Sequence, residues 1–393
     1  PQGLERNALE LDLLIARGAP LLSVKGYASD EMEHNYRRAK DLSQGNSDSV
    51  LQFRAIWGLW VLHLVKGHLD DARGLAEALL ALANREHSSD LLVGAHRSLG
   101  NTCFWLGRFD EARTHLLTVR SLYDPTQHRA HAVVYGQAPG ITARIYLART
   151  LWILGEVDQV ESLALEAISM ARELEHPFTL VFTLCHLSII YYTVRNANRV
   201  LKLTDEAIAV ATQYGFELGL AWATTSHGWA LAEKGEEDGL GTLLHGLSAT
   251  RATGASLNDT FTLALLAELY LRHNRMDEGL AAIAEAQTLA VPGGELFWQA
   301  ELLRLKGELL LRQSDQSVSA AEQCLCNALK VAQNQHATML ELRAATSLAR
   351  FWKTLNKVDE ATQILESVCA KFTEGLDNLD LREAKTVLAQ LRA

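Results

Sequence analysis

Few residues in this 393-residue chain fall at spacings that chemistry could use. Cys324 and Cys326, in "CLC", stand at i and i+2 of a helical stretch, so their thiols point to different faces. A zinc site needs i, i+3 or i+4 on a helix, or a C-x-x-C knuckle, and the pair reads as core cysteines. His128 and His131 do have i, i+3 spacing, but no carboxylate or thiol nearby in sequence completes a set, so they read as solvated joint residues. "HLDDARG" (68–74) begins like an aspartate metal motif, yet Gly74 stands where a third Asp is needed, and Asp70 and Asp71 read as helix-capping residues. "GLGTLLHG" (239–246) has close glycines without the Lys-Ser/Thr of a phosphate loop and without a preceding strand. No H-E-x-x-H and no serine nucleophile elbow occurs. These patterns predict no catalytic centre, no metal and no cofactor, and hence no enzyme within these residues.

The elements that would carry any site are set by a recurring turn. "VKGYASDEM", "VKGHLDDA", "WLGRFDEA", "ILGEVDQV", "TVRNANRV", "EKGEEDGL", "RHNRMDEG", a blurred copy near Ser314 and "TLNKVDEA" follow one another about 40 residues apart, with one interval of 48. A fixed period in this range is the signature of a helical array. Gly or Asn follows the first helix, where a left-handed residue releases the last carbonyls. An apolar residue (Leu69, Phe109, Val157, Met276 or Val358) pins the turn two positions later. Asp then caps the second helix. Apolar residues of "LGNTCFWLG" recur at helical spacing, and four prolines, at 125, 139, 177 and 292, fall in joints between hairpins. The expected fold is all-α: a right-handed superhelical solenoid of about nine helical hairpins forming a single domain over 1–393. The segment 379–393 is expected to be a capping helix, packing through Leu381, Val387, Leu388 and Leu391 with Arg382, Glu383, Lys385 and Gln390 outward. Deleting 376–393 is expected to expose the last hairpin and cause aggregation, which light scattering of the truncated protein checks.

Composition narrows the function. A net charge of −10 argues against a nucleic-acid surface, which needs a basic face. Five cysteines at 103, 185, 324, 326 and 369 form no disulfide framework, which favours a reduced, cytoplasmic setting. The longest apolar stretch, 179–192, is too short to span a bilayer, so no membrane partner is expected. The chain starts at Pro1 within an amphipathic stretch and reads as part of a longer protein.

The unit "HRSLGNTCFWLGRFDEARTHLLTV" (96–119) resembles the tetratricopeptide repeat, with Leu99-Gly100, Gly107, Phe109 and Ala112 in place. Four later segments, "GWALAEKGEEDGLGTLLHGLSATRATGA" (228–255), "AELLRLKGELLLRQ" (300–313), "LELRAATSLARFW" (340–352) and "FTEGLDNLDLREAKTVLAQL" (372–391), extend the likeness. With the N-terminal 10–42, they are similar to the C-terminal helical region of bacterial signalling proteins that join a class III adenylate/guanylate cyclase to a STAND/AAA ATPase. The resemblance implies a sensor or docking platform, with the ATPase and cyclase chemistry upstream. It also implies that the family's His-Asp pair before Pro139 is here Gln137-Ala138, so that a polar contact made by that pair would be lost.

Transferring the repeat phase places Arg97, Asn101, Arg149, Trp152, Tyr192, Trp222, Trp229, Glu268, Arg304, Glu308, Arg343 and Arg350 on the concave face. Arg97 and Asn101 fall where peptide-carboxylate clamps put Lys and Asn, but the following units offer Tyr146, Phe182 and His186 and leave the clamp incomplete. The swollen joint at 124–142 adds His131, Tyr135 and Gln137 as loop candidates. Mixed aromatic and Arg character suits a partner-binding surface. The expected function is a non-enzymatic interaction and regulatory scaffold that binds a partner protein, or its own upstream ATPase or cyclase domains. The alternative is a sensor arm holding a small molecule among Trp152, Tyr192, Trp222 and Trp229.

Overall fold

The helices follow from two kinds of apolar patterning. In the segment 179–193 every residue but Leu180 is buried, as expected for a helix covered on all sides. The segment after it buries Val200, Leu203, Thr204, Ala207 and Ala211, a single stripe at 3.6-residue spacing. The long apolar run is therefore the first helix of a hairpin. Among the described residues no helix is long and apolar enough to cross a membrane.

The computed structural model describes residues 2–26, 28–44, 48–128, 130–314 and 317–392. Among these residues there are twenty α-helices and no strand. The first hairpins are α1 (Gln2–Lys25) with α2 (Asp30–Ser43), α3 (Ser49–Val65) with α4 (Leu69–Arg85), and α5 (Ser89–Trp105) with α6 (Phe109–Leu122). A short α7 (His131–Tyr135) precedes α8 (Pro139–Leu154) with α9 (Val160–Glu173). Next come α10 (Pro177–Thr193) with α11 (Ala197–Tyr214) and α12 (Glu217–Glu233) with α13 (Gly239–Ala252). Then follow α14 (Asp259–Arg272) with α15 (Met276–Gly293), α16 (Gln299–Gln313) with α17 (Val318–Asn334), and α18 (Thr338–Thr354) with α19 (Val358–Cys369). The last helix, α20 (Leu379–Arg392), packs on α18 and α19, burying Leu381, Val387, Leu388 and Leu391.

The recurring turns are left-handed at Gly26, Gly67, Gly107, Gly155, Arg195, Gly235, Asn274 and Asn356. The blurred copy differs: Ser314 is extended, with φ −167°. The aspartates do not cap as expected. The residues before α4, α15 and α19 are His68, Arg275 and Lys357, none of which makes a side-chain cap. The apolar pin is itself the first helical residue, so Asp70, Asp71, Asp277 and Asp359 lie inside the first turn. There they act on the helix dipole, worth about 0.3–1 kcal/mol each.

The chain divides into two compact units. The first comprises Pro1–Trp105, Glu111–Leu147 and Ser162–Leu257, and the second Leu106–Asp110, Ala148–Glu161 and Asn258–Ala393. Each unit has hairpin turns docked on distant joints of its own. In the first, Ser256 Oγ donates to the Lys66 carbonyl at 2.8 Å, and the Ser256 and Leu257 amides both reach the Val65 carbonyl at 3.1 Å. In the second, His336 Nδ1 lies 2.6 Å from Asp110 Oδ2, and the Gly375 amide donates to Asp158 Oδ1 at 3.0 Å.

Docking explains why Gly155 is strict. At φ +88°, an added Cβ would lie 3.2 Å from both Phe372 and Thr338, whereas at Gly235 (φ +81°) it would meet nothing within 4 Å. Both alanine variants carry the left-handed penalty of about 1–2 kcal/mol. Gly155→Ala should lose about 1 kcal/mol more than Gly235→Ala in urea denaturation, the excess measuring the docked contact.

Candidate functional site

In the first unit the swollen joint folds onto α3 and α5. Helix α3 offers Phe53, Trp57 and Trp60 along one side, and α5 offers Asp90 at its start and Arg97 two turns on. The joint forms α7, closes with the left-handed Gly136 (φ 71°), and starts α8 at Pro139. His131 Nε2 lies 2.7 Å from Asp90 Oδ1, and His128 Nε2 lies 3.5 Å from the same oxygen. The His128 ring stacks on Tyr123 at 5.3 Å. Tyr135 packs on Trp57 at 5.1 Å and Phe53 at 6.4 Å.

Gln137 accepts a hydrogen bond from Arg97 Nη2 at 2.6 Å, and the guanidinium carbon lies 5.8 and 5.3 Å from the Trp57 and Trp60 ring centroids. Arg97, Asn101, Tyr135 and Gln137 are each no more than 3% exposed. The joint is thus packed against the first helices here. One expectation changes. His128 and His131 are buried and share a carboxylate, because Asp90 comes from the preceding hairpin, one repeat period away in sequence. Before Pro139, Gln137 makes a polar contact of its own, with Arg97. Burial holds the His131 imidazole below its ordinary pKa, against the opposing pull of Asp90.

Along the same unit, aromatic side chains line successive first helices. Tyr146 lies 5.6 Å from His186, which lies 4.1 Å from Phe182 and 5.6 Å from Trp222. Tyr192 and Trp229 pair edge to face at 4.8 Å, both buried. Of this unit's concave candidates, Trp222 keeps part of its surface accessible.

The second unit brings most of its candidates together as a charge network. Arg304 donates through Nε and Nη2 to both oxygens of Glu301, at 2.9 and 2.7 Å, and through Nη1 to Glu308 at 2.7 Å. Glu308 also accepts from Ser347 Oγ at 2.6 Å. Arg343 grips Asp380 with two bonds of 3.0 Å, and its Nη1 stands 3.6 Å from Glu301. Burial opposes the Arg304 charge, but Glu301 and Glu308 outweigh it and raise its pKa. Trp152 stacks on Trp298 at 6.2 Å, with the Arg343 guanidinium 4.9 Å from its ring centroid. Arg149 lies over Phe297 at 5.6 Å. Glu268 pairs with Arg272 at 2.6 Å, and the exposed Arg350 with Glu383 at 2.7 Å.

Glu295, which the sequence did not single out, is 4% exposed in the joint before α16. Its carboxyl accepts from the Asn258 amide at 3.1 Å and from the Thr260 hydroxyl, bonding across to the start of α14. Burial pushes its pKa up to about 8. An unfolded Glu titrates near 4.3, so between about pH 4 and 8 the native state binds the extra proton. Stability therefore falls as pH rises through that window and levels off above it. Glu295→Gln should flatten this slope and be more stable than the parent by about 2 kcal/mol at pH 8.5, as denaturation at pH 5 and 8.5 would read.

The cysteines are not poised for chemistry. Burial pushes the Cys185 thiol to about 12 and raises Cys324, Cys326 and Cys369, keeping them as thiols. Cys324 and Cys326 are half-buried on α17, not in the core.

No protein-family model matches the chain. It is 23% identical over 354 residues to "Uncharacterized protein R02095" of Rhizobium meliloti (strain 1021), covering 87% of this chain. The chain spans 33% of the length of that curated relative. Among solved structures it is similar to a Rap protein complexed with competence and sporulation factor, with a TM-score of 0.62, 12% identity, and coverage of 99% of this chain and 100% of that one. It is also similar to the APC/C hetero-tetramer Cut9–Hcn1, with a TM-score of 0.52, 15% identity, and coverage of 100% and 73%. At these identities the likeness is one of fold, and the chain has the all-α, tetratricopeptide-like solenoid fold.

Proposed function

We propose that this chain is a non-enzymatic interaction and regulatory arm of a larger cytoplasmic signalling protein linked to an ATPase or cyclase. It would dock a protein partner, or the ATPase of its own protein, on the concave face of its hairpins. The observation that carries this reading is the match to a relative of which the chain spans only 33%, which suits one region of a longer protein. The fold adds support, since the Rap and Cut9 structures it resembles were both solved as complexes. The residues offered to a partner are the more accessible ones: Trp222 in the first unit, and Glu308 and Arg350 in the second, while Glu268, Arg304 and Arg343 are largely taken up by the charge network and show only their edges. Arg97, Asn101, Arg149, Trp152, Tyr192 and Trp229 are buried and would shape the surface from beneath. The small-molecule reading has less support, because Tyr192 packs on Trp229 and Trp152 on Trp298.

The test begins with the parent gene and the phosphate-loop ATPase it should encode upstream. That ATPase, purified alone, should bind this chain in calorimetry, and Trp222→Ala with Arg350→Glu should weaken binding at least tenfold. A parent gene without an ATPase or cyclase, or binding indifferent to both substitutions, would discard the reading.

A further inference from the structure

The turn between α3 and α4 carries a side-chain cluster that the interaction reading does not use. His63 in the last turn of α3, His68 just before α4 and Asp71 in its first turn each offer a ligand atom, and the three atoms lie within 4.8 Å of one another. His63 Nδ1 stands 3.4 Å from Asp71 Oδ2. This nitrogen is shielded from solvent and makes no hydrogen bond among the described residues. The ring centroids of His63 and His68 are 5.7 Å apart.

We propose that His63, His68 and Asp71 form a binding site for a divalent transition-metal ion of the zinc class. Bonds of about 2.0–2.1 Å from a tetrahedral zinc ion place two ligand atoms about 3.3 Å apart. The Nδ1–Oδ2 separation already has about that length, and the third atom needs a shift of at most about 1.5 Å, within reach of the exposed His68. Two imidazoles with one carboxylate suit a borderline ion and leave a fourth position for water. Hard ions such as Mg2+ prefer all-oxygen sets and would bind weakly. Sequence spacing concealed the set: the aspartate pair of 68–74 lacks its third Asp, and the histidine at 63 comes from the preceding helix.

The site straddles Gly67 and adjoins the Val65 and Lys66 carbonyls that receive Ser256 and Leu257. A bound ion would tie α3 to α4 across the turn and raise the melting temperature of the chain. Calorimetric titration of the full chain with Zn2+ should show one equivalent with micromolar or tighter affinity, and Co2+ should give the visible bands of a tetrahedral site. His68→Gln and Asp71→Asn, at exposed positions, should each weaken binding at least tenfold, whereas His245→Gln on α13 should leave it unchanged. Absence of a micromolar equivalent, binding unchanged in His68→Gln, or Mg2+ binding as well as Zn2+ would overturn the proposal.

Discussion

Replacing Gly228 with alanine should destabilise the sixth hairpin by about 3 kcal/mol or more, although alanine is the better helix former by about 1 kcal/mol. A Cβ at Gly228 would lie 2.3 Å from the Leu243 amide nitrogen, 2.7 Å from its Cα and 2.8 Å from the Gly239 carbonyl. These are backbone atoms, so α12 and α13 would have to move apart. Gly246 approaches the Thr225 backbone in the same way. Gly241, on the open side of α13, meets nothing within 4 Å, and Gly241→Ala should stabilise by about 1 kcal/mol. Urea denaturation of the two variants should give shifts of opposite sign. Equal shifts would remove the close-packing account.

Arg304→Ala should lose about 3–5 kcal/mol, the range for breaking a buried ion pair from one side. The Glu301 side chain is only 4% exposed, and the loss of Arg304 removes the guanidinium that bonds both of its carboxylate oxygens. The double variant Glu301→Leu with Arg304→Met removes both charges and should recover most of the loss. Denaturant midpoints compared across the single and double variants check this. A single variant shifted by less than 1 kcal/mol would show the network to be solvated and weak.

The hairpins were legible because each turn is made locally. A left-handed residue, an apolar pin and an aspartate all lie within five positions, and Asn274 and Asn356 replace glycine without loss of the conformation. The joints at His87, Glu175 and His336 are left-handed too, but no glycine marks them. The aspartates stand two or three positions beyond the cap residue, inside the first turn, because the apolar pin before them is already helical. Arg304 with Glu308 could be read from i, i+4 spacing. Their further partners could not, since Arg97 meets Gln137, His131 meets Asp90 and Arg343 meets Asp380 about one period along the chain. Helical phase assigned side chains to a face. It could not show that the joint at 124–142 packs against Arg97 and that Trp152 lies beneath Arg343.

The docked turns bear on how the chain folds and yields to force. A helical array held by neighbour contacts alone has low contact order and can fray from either end, one repeat at a time. Here the Ser256–Lys66, His336–Asp110 and Gly375–Asp158 bonds join residues 190, 226 and 217 positions apart. Each closes a long loop, which slows its formation. Within each unit these bonds act as latches. Pulled from its ends, a unit should resist until a latch opens and then lengthen abruptly, instead of paying out hairpin by hairpin.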